Sequence, residues 1–187
     1  SPAQTGIYLD GVTIYSPFHS IGLFSVFETE AIRNVDVYTA GFGAQYGNRT
    51  SAIVDIHTKD GNKNEMSGIV SVSPIMGRVM LEGPLVKSKK NNGAGITYLI
   101  TGKHSILDQT SKTMYSGILG DQFQDGLPYK FTDVYGKVTF SGDNGSKLNI
   151  FGFNFNDEAK LDQSSIVQDT VRPNVGNYSW KARGAGG

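Results

Sequence analysis

The sequence predicts a small α+β unit over residues 1–62, followed over residues 63–187 by antiparallel β-strands of the kind that build a transmembrane β-barrel. Three observations lead to this prediction. A helical repeat of apolar residues occurs only in the first part of the chain, the part after residue 65 alternates polar and apolar side chains, and its strand connections differ sharply in length. On the strand pattern alone, a soluble β-sandwich explains the sequence equally well.

The composition narrows the class of protein. Charged residues make up 18% of the 187 residues, against roughly 25% in ordinary globular domains. Without any Cys, a disulfide framework, a thiolate metal site and a thiol nucleophile are all excluded. The 17 Lys and Arg residues balance the 17 Asp and Glu residues, which argues against nucleic acid as a partner. No window approaches the roughly 20 apolar residues of a spanning helix, so a membrane would be crossed by strands.

The first unit begins with two β-prone runs around Asp10-Gly11, which predict a kinked strand or a small hairpin. After a loop interrupted by Pro17, the chain shows a helical stripe and a capping-box pair, Ser25 and Glu28, which predict a short helix from about residue 25 to 34. The stripe consists of Phe24, Phe27, Ala31, Ile32 and Val35.

Two further strands are predicted in the first unit, at residues 35–38 and 52–58, with a glycine-punctuated loop at residues 41–47 between them. The polar run at residues 60–65 breaks the pattern, and we place the domain boundary there.

The second part contains six predicted strands and no helical period. They cover residues 68–73, 78–82, 96–105, 131–141, 147–156 and 178–183. A compact turn joins the fourth strand to the fifth at residues 141–146, whereas 25 residues, 106–130, separate the third from the fourth. Short turns at one rim and long loops at the other are typical of outer-membrane barrels.

The alternating faces predict which side meets lipid. In the fifth strand Phe151, Phe153 and Phe155 share one face, and we expect this aromatic stripe to meet hydrocarbon. The opposite face, Leu148, Ile150, Gly152 and Asn154, would then line a wet lumen. In the fourth strand, Tyr135, Lys137, Thr139 and Ser141 oppose Val134, Gly136, Val138 and Phe140.

Nothing in the sequence predicts an enzyme, a cofactor or a metal centre. His19, His57 and His104 lack the spacing with carboxylates that a metal site requires. No nucleophile elbow, phosphate-binding loop or zinc-binding helix motif is present.

Residues 7–59 resemble the C-terminal half of the plug domain of TonB-dependent outer-membrane receptors. The resemblance rests on four motifs in order: residues 8–12 (YLDGV), residues 30–37 (EAIRNVDV), Gly41 with Tyr46-Gly47, and the closing strand at residues 53–59 (IVDIHTK). Within that family, residues 40–51 (AGFGAQYGNRTS) look most like receptors of the Bacteroidetes type.

The resemblance implies an α+β plug fragment over residues 1–62 and the first strands of an outer-membrane β-barrel, a partial barrel, over 63–187. Because such receptors close with 22 strands, we expect this sequence to be an internal part of a longer chain. The implied function is import of a scarce nutrient through a plugged barrel, energised by the TonB complex of the inner membrane. The implied partners are outer-membrane lipid and a siderophore, cofactor, glycan or peptide ligand, with a surface lipoprotein as a further candidate.

The resemblance also supplies candidate site residues. It places Tyr15, Phe18 and His19 in a loop at the plug apex, where they would meet the ligand, and aromatic rings with polar handles suit that task. Structural roles in the plug fall to Asp10, Gly11, Arg33, Gly41, Tyr46, Gly47 and Arg49. For Arg33 and Arg49 we expect ion pairs with the barrel wall, since an unpaired charge inside a barrel is costly.

Two other functions stay open at this point. A soluble β-rich adhesin or carbohydrate-binding module would use the aromatic stripe as the core of a sandwich. A signalling receptor that also regulates transcription would require a further N-terminal domain.

Overall fold

The computed structural model describes residues 5–19, 22, 24–43, 46–47, 51–87, 94–114, 127, 129–162 and 175–187. Within these ranges the chain forms a four-stranded sheet, a two-stranded pair and a six-stranded sheet. The strands are β1 (Gly6–Leu9), β2 (Val12–Thr13), β3 (Phe18–His19), β4 (Phe24–Ser25), β5 (Ile32–Tyr38), β6 (Ile53–Thr58), β7 (Ser67–Val72), β8 (Met76–Val86), β9 (Gly95–Ser105), β10 (Tyr129–Ser141), β11 (Lys147–Asp162) and β12 (Val175–Gly186). Helix α1 spans Leu107–Met114.

Of the two alternatives predicted at Asp10-Gly11, a kinked strand and a small hairpin, the structure contains the hairpin. Strands β1 and β2 pair antiparallel, and both turn residues have positive φ, 47° for Asp10 and 86° for Gly11. These angles suit the tight turn that joins two twisted strands. The four-stranded sheet runs β2-β1-β6-β5, with β1 parallel to β6, so the end of β1 lies beside the end of β6.

The helix predicted at residues 25–34 is wrong. The segment contains only a 3₁₀ turn, Thr29–Ala31, and then enters β5 at Ile32. The Ser25 hydroxyl accepts a hydrogen bond from the N–H of Phe27 and not from the N–H of Glu28, which a capping box would require. Pairing of Ile32 with Thr58 extends the backbone where a helix would have needed to continue.

The six predicted strands of the second part are confirmed as β7 to β12. They form one antiparallel sheet in which each strand pairs with its neighbours along the chain. The expectation of no helix after residue 65 is wrong, since α1 lies within the long connection between β9 and β10. Only Leu107 and Ser111 of this polar helix are buried, so its sequence has no apolar stripe from which a helix could be predicted.

The predicted orientation of the aromatic stripe is also wrong. Phe151, Phe153 and Phe155 are buried against the N-terminal strands, whereas Leu148 and Ile150 are exposed. The register explains the difference, because Phe153 lies directly opposite Tyr135, and Phe151 opposite Lys137, so the aromatic and polar side chains share one face. We call this the inner face of the six-stranded sheet.

The other face, here the outer face, is mostly apolar along its middle. Its half-exposed side chains are Val79, Leu81, Ile100, Val134, Phe140, Leu148 and Ile150. Among the described residues, no helix has the length and hydrophobicity needed to cross a lipid bilayer.

The core lies between the inner face and the N-terminal strands, which together with their connections we call the N-terminal unit (residues 5–62). Leu9, Ile14, Val26, Ala31 and Ile56 of this unit pack against the sheet. The sheet contributes Met80, Leu99, Tyr135, Phe151, Phe153 and Phe155.

Candidate functional site: the polar interface between the N-terminal unit and the sheet

Polar side chains surround the apolar core and join the N-terminal unit to the inner face at several points. One such point lies where β1 and β6 end. Asp10 accepts hydrogen bonds from the Thr58 N–H (3.0 Å), the Thr58 hydroxyl (2.7 Å) and the Tyr135 hydroxyl (2.5 Å). The bonds from Thr58 and Tyr135 together fix the turn of the hairpin to the end of β6 and to strand β10.

Lys137 lies beside this carboxylate and is almost completely buried, with 3% of its side chain exposed. Its ammonium group donates to the carbonyl oxygen of Thr58 (3.2 Å) and to the Thr58 hydroxyl (3.0 Å). It also lies 3.9 Å from Asp10 and 3.6 Å from Asp60. One buried cation thus faces two carboxylates of the N-terminal unit.

Asp60 continues the same network toward solvent. The ammonium group of Lys147 lies 2.6 Å from its carboxylate, and the Thr139 hydroxyl lies 3.4 Å from it. Burial alone would raise the pKa of Asp60, but the hydrogen bond from Lys147 and the charges of Lys147 and Lys137 outweigh it and lower the pKa below 3.8. Asp60 is therefore ionised at neutral pH and can bind both cations.

Two more ion pairs hold the edge of the unit near β8. Lys59 lies 2.9 Å from Glu82, and Arg78 lies 2.9 Å from Glu28. In each pair the carboxylate is more buried than the cation, with 12% of Glu82 and 10% of Glu28 exposed. The partners come from opposite sides of the interface, so both pairs resist separation of the unit from the sheet.

His19 lies at a further polar contact and is fully buried. Its Nε2 is 2.7 Å from Asp133 Oδ2, and its Nδ1 is 3.7 Å from Asp157 Oδ2. The ring stacks on Phe131 with the two planes 5° apart. Lys103 lies 3.5 Å from Asp133 and donates to the backbone oxygens of Ser25 and Phe27.

The structure separates the three residues predicted to contact ligand. Tyr15 is 84% exposed and Phe18 is 51% exposed, so both present aromatic surface to solvent. His19 follows Phe18 on β3, and its side chain points the other way, into the cluster with Asp133. Ligand contact by Tyr15 and Phe18 stays a prediction, whereas the His19 ring has no exposed surface to offer a solute.

Several predicted plug residues make specific contacts within the N-terminal unit. Tyr46 donates its hydroxyl proton to Asp55 at 2.6 Å, and its ring contacts Tyr8 and Tyr38. Gly41 has a φ of 68°, which favours glycine. Gly47 lies in an exposed turn beside Tyr46.

Of the two arginines expected to pair with the sheet, Arg33 is exposed and donates to neighbouring Asn34 at 3.4 Å. Arg49 lies outside the described residues. Within the part of the chain that the structure describes, the lysine and arginine side chains that form ion pairs across the interface are Lys59, Arg78, Lys137 and Lys147.

A cavity of about 20 Å³ lies between the unit and the sheet, and its polar lining includes Thr58, Thr101, Lys103 and Asp133. A volume of this size accommodates about one water molecule. A solute larger than water would not fit in this cavity.

Sequence reasoning missed the acidic and basic residues of β8 to β11 that complete these clusters. The signal was available in the alternation of β10, where Asp133, Tyr135, Lys137 and Thr139 follow each other at every second position. Their partners lie 79 to 125 positions away, as in the contacts of Lys137 with Thr58 and of Tyr135 with Asp10. Among the described residues, no group of three or more His, Asp or Glu side chains could hold a metal ion.

Comparison with known proteins finds a family-model match in the first part of the chain. Residues 1–54 match the model of the TonB-dependent receptor plug domain. No curated protein matches the sequence. Neither finding tests the Bacteroidetes subgroup, which stays a prediction.

Among solved structures, the chain is similar to the ferric-catecholate import receptor Fiu of E. coli K12 in its open form. The sequence identity is 14% and the TM-score is 0.48. The similarity covers 86% of this chain but 21% of that receptor, so the chain spans about a fifth of the length of the receptor it resembles.

Proposed function

We propose that the chain is part of a TonB-dependent receptor, in which residues 1–62 form the C-terminal half of the plug and residues 63–187 form the first strands of an outer-membrane β-barrel. The observation that carries the proposal is the plug-domain match over residues 1–54, followed directly by an antiparallel sheet that packs on the matched unit. The receptor would bind a scarce nutrient outside the cell and import it.

The two faces of the sheet support a position at the membrane. The outer face presents apolar side chains such as Ile100, Val134 and Ile150, each about half exposed. The inner face carries charged and aromatic side chains that pack on the N-terminal unit. An apolar exterior and a polar interior are what a barrel wall in a lipid bilayer requires. A soluble module would instead leave this apolar surface in water, which is unfavourable.

The proposed mechanism is displacement of the plug by force. The cavity at the interface is too small for a solute, so import at this point requires the N-terminal unit to move or partly unfold. Movement must break the contacts of Asp10, Asp60, Lys59 and Glu28 with the sheet, most of which are shielded from solvent. The TonB complex would supply the energy, and the receptor itself would perform binding and conformational change.

Tyr15 and Phe18 are the proposed ligand contacts in this part of the receptor. Both rings are exposed on the connection between the hairpin and β4, and neither belongs to the buried core. An exposed aromatic pair suits a siderophore, a cofactor, a glycan or a peptide, because each offers apolar or planar surface together with polar groups.

Growth of a deletion strain on defined iron, cofactor, glycan and peptide sources tests the import function. We expect one class of nutrient to support growth only when the complete receptor and an intact TonB complex are both present. Normal growth of the deletion strain on every source, with a soluble gene product, would refute the proposal and favour an adhesin or carbohydrate-binding module.

The ligand role is tested in the complete receptor with Tyr15→Ala and Phe18→Ala. We expect weaker binding of the identified nutrient with unchanged amounts of receptor in the outer membrane. Val37→Ala is the matched control, since Val37 is 60% exposed on β5 but lies outside the proposed contact region. Equal affinity of all three variants and the parent would remove the proposed ligand role.

A further inference from the structure

The outer face of the six-stranded sheet changes from apolar to polar at one level. On β10 the apolar side chains of this face end at Val134, and Thr132 follows. On β11 they end at Ile150, and Asn154 follows after a glycine. The register sets Val134 opposite Asn154 and Thr132 opposite Asn156, so the change occurs at the same level on both strands.

Two basic side chains of β12 lie at this level. Arg183 pairs in register with Asn154, and Lys181 with Asn156, so both project from the outer face, and both are exposed. The Nε of Arg183 donates a hydrogen bond to Asn154 Oδ1 at 3.0 Å, which holds the guanidinium group beside β11. We call the outer-face residues at this level the polar band, and they are His104, Thr132, Asn154, Asn156, Lys181 and Arg183.

The polar band and its surroundings carry a surplus of positive charge. None of the six residues is acidic, and within the part of the chain that the structure describes neither Lys181 nor Arg183 forms an ion pair. Glu158 is the next outer-face residue of β11, and the register sets it directly opposite Lys130, a position that suits opposite charges. The two cations of β12 are therefore available to an anion outside the sheet.

The strand connections indicate the side of the membrane on which the polar band would lie. The band is near the ends of β9 and β10 that the long connection at residues 106–128 joins, whereas the compact turn at residues 142–146 lies at the other end of β10. The longer loops of outer-membrane barrels are extracellular. In the proposed receptor, the boundary between apolar and polar side chains would thus lie among the headgroups of the outer leaflet.

We propose that the polar band binds the anionic, phosphate-bearing headgroup of an outer-leaflet lipid, with Lys181 and Arg183 as the two cationic contacts. Basic side chains at a membrane surface attract anionic lipids. The planar guanidinium group of Arg183 suits phosphate oxygens, and its bond to Asn154 orders it in advance. This inference rests on the proposed function, because only a sheet that spans a membrane brings the band to the headgroups.

The test uses the complete receptor, purified in detergent and titrated with phosphatidylglycerol, which is anionic, or with phosphatidylcholine, which has no net charge. Bound lipid is read by native mass spectrometry. We expect the parent to prefer phosphatidylglycerol, and Lys181→Gln combined with Arg183→Gln to lower its affinity for this lipid by at least about fivefold. Affinity for phosphatidylcholine should not change.

Lys63→Gln is the matched control. Lys63 is an exposed lysine that follows Asp60, and Asp60 lies beside Lys147 at the other end of β11 from the polar band. We expect Lys63→Gln to bind both lipids as the parent does. A loss of phosphatidylglycerol in Lys63→Gln equal to that in the double glutamine variant would overturn the assignment of the site to the polar band.

Two further measurements separate a charge effect from a folding defect and a lipid from free phosphate. Lys181→Arg combined with Arg183→Lys keeps both charges and should keep the preference for phosphatidylglycerol, whereas loss of the preference there would overturn the proposal. Inorganic phosphate should not displace the lipid, and full displacement would indicate a site for free phosphate instead. If the double glutamine variant does not fold, each single glutamine variant should still lose part of the preference.

The outcomes also separate this inference from the proposed function. A parent that requires detergent but binds the two lipids equally would overturn the lipid site alone, and this result is expected if a carboxylate from another strand of the complete receptor neutralises Lys181 and Arg183. A parent that stays monodisperse without detergent would contradict the membrane position itself, and the proposed function would fail together with the lipid site.

Discussion

Lys137 offers the sharpest test of how the N-terminal unit is held, because Lys147 provides a matched control on the same carboxylate. Both ammonium groups face Asp60, at 3.6 Å for Lys137 and 2.6 Å for Lys147. Only 3% of the Lys137 side chain is exposed, against 45% for Lys147. Distance alone would make Lys147 the more important residue, whereas burial predicts the opposite order.

The expected magnitudes follow from this difference in burial. Removing one partner from a buried ion pair costs about 3–5 kcal/mol. Asp60 keeps Lys147, and Asp10 keeps its hydrogen bonds from Thr58 and Tyr135, so we expect Lys137→Met to lie at the lower end, about 3 kcal/mol. An exposed ion pair contributes about 0–1 kcal/mol, and we expect Lys147→Met to cost no more than that.

The assay is the free energy of opening of residues 53–62 in the complete receptor, obtained from hydrogen exchange under native conditions in detergent. Adding Asp10→Asn to Lys137→Met should restore part of the loss, because Asp10 is the carboxylate that loses its neighbouring cation and the asparagine side chain is neutral. A loss in Lys147→Met equal to or greater than that in Lys137→Met would refute the argument that burial makes this network strong.

Three further outcomes are expected. Because the pKa of Asp60 is lowered in the folded state, its charge stabilises the interface above pH 3.8, and this contribution is lost as the pH falls through the lower pKa of the folded state. Asp60→Asn should therefore remove part of the acid-induced opening of residues 53–62. An unchanged acid profile would contradict this. Gly61→Ala places a Cβ 2.1 Å from the carbonyl oxygen of Tyr98 and should cost at least about 1–3 kcal/mol in the same exchange assay. Gly136→Ala is the control, since the space around its Cβ is open, and it should cost less than about 1.5 kcal/mol. Equal costs would argue against the close approach at Gly61. Ile150→Lys on the outer face should reduce the amount of folded receptor in the outer membrane, since a lysine facing lipid costs about 2–4 kcal/mol, and normal assembly would contradict a membrane position for this face.

The strands were predictable because their signal is local. Alternation at every second residue predicted β7 to β12, and Asp10-Gly11 predicted the hairpin, since both patterns depend on a few consecutive residues. The helix prediction was wrong because a distant contact overrides the local pattern there. Ser25 and Glu28 have capping-box spacing, but Ile32 pairs with a strand that lies 26 positions away, and that distant partner decides its conformation.

The face assignment failed because hydrophobicity alone does not identify lipid. Phe151, Phe153 and Phe155 form the aromatic stripe of β11, yet they pack against the N-terminal unit. Only the register, which sets Phe153 opposite Tyr135, reveals that the aromatic and polar stripes share a face. The buried ion pairs of the interface could not be predicted, because each needs two residues that only the fold brings together.

Asp10 answers to two requirements at once. Asp10 lies just beyond the last residue of β1, where its backbone adopts a left-handed conformation. Its carboxylate accepts a hydrogen bond from the Thr58 N–H. Asparagine would suit the backbone but lose the charge beside Lys137, and glutamate would keep the charge but fit the turn poorly. Few side chains can replace Asp10, so a change at this position alters both the conformation of the turn and the attachment of the N-terminal unit to the six-stranded sheet.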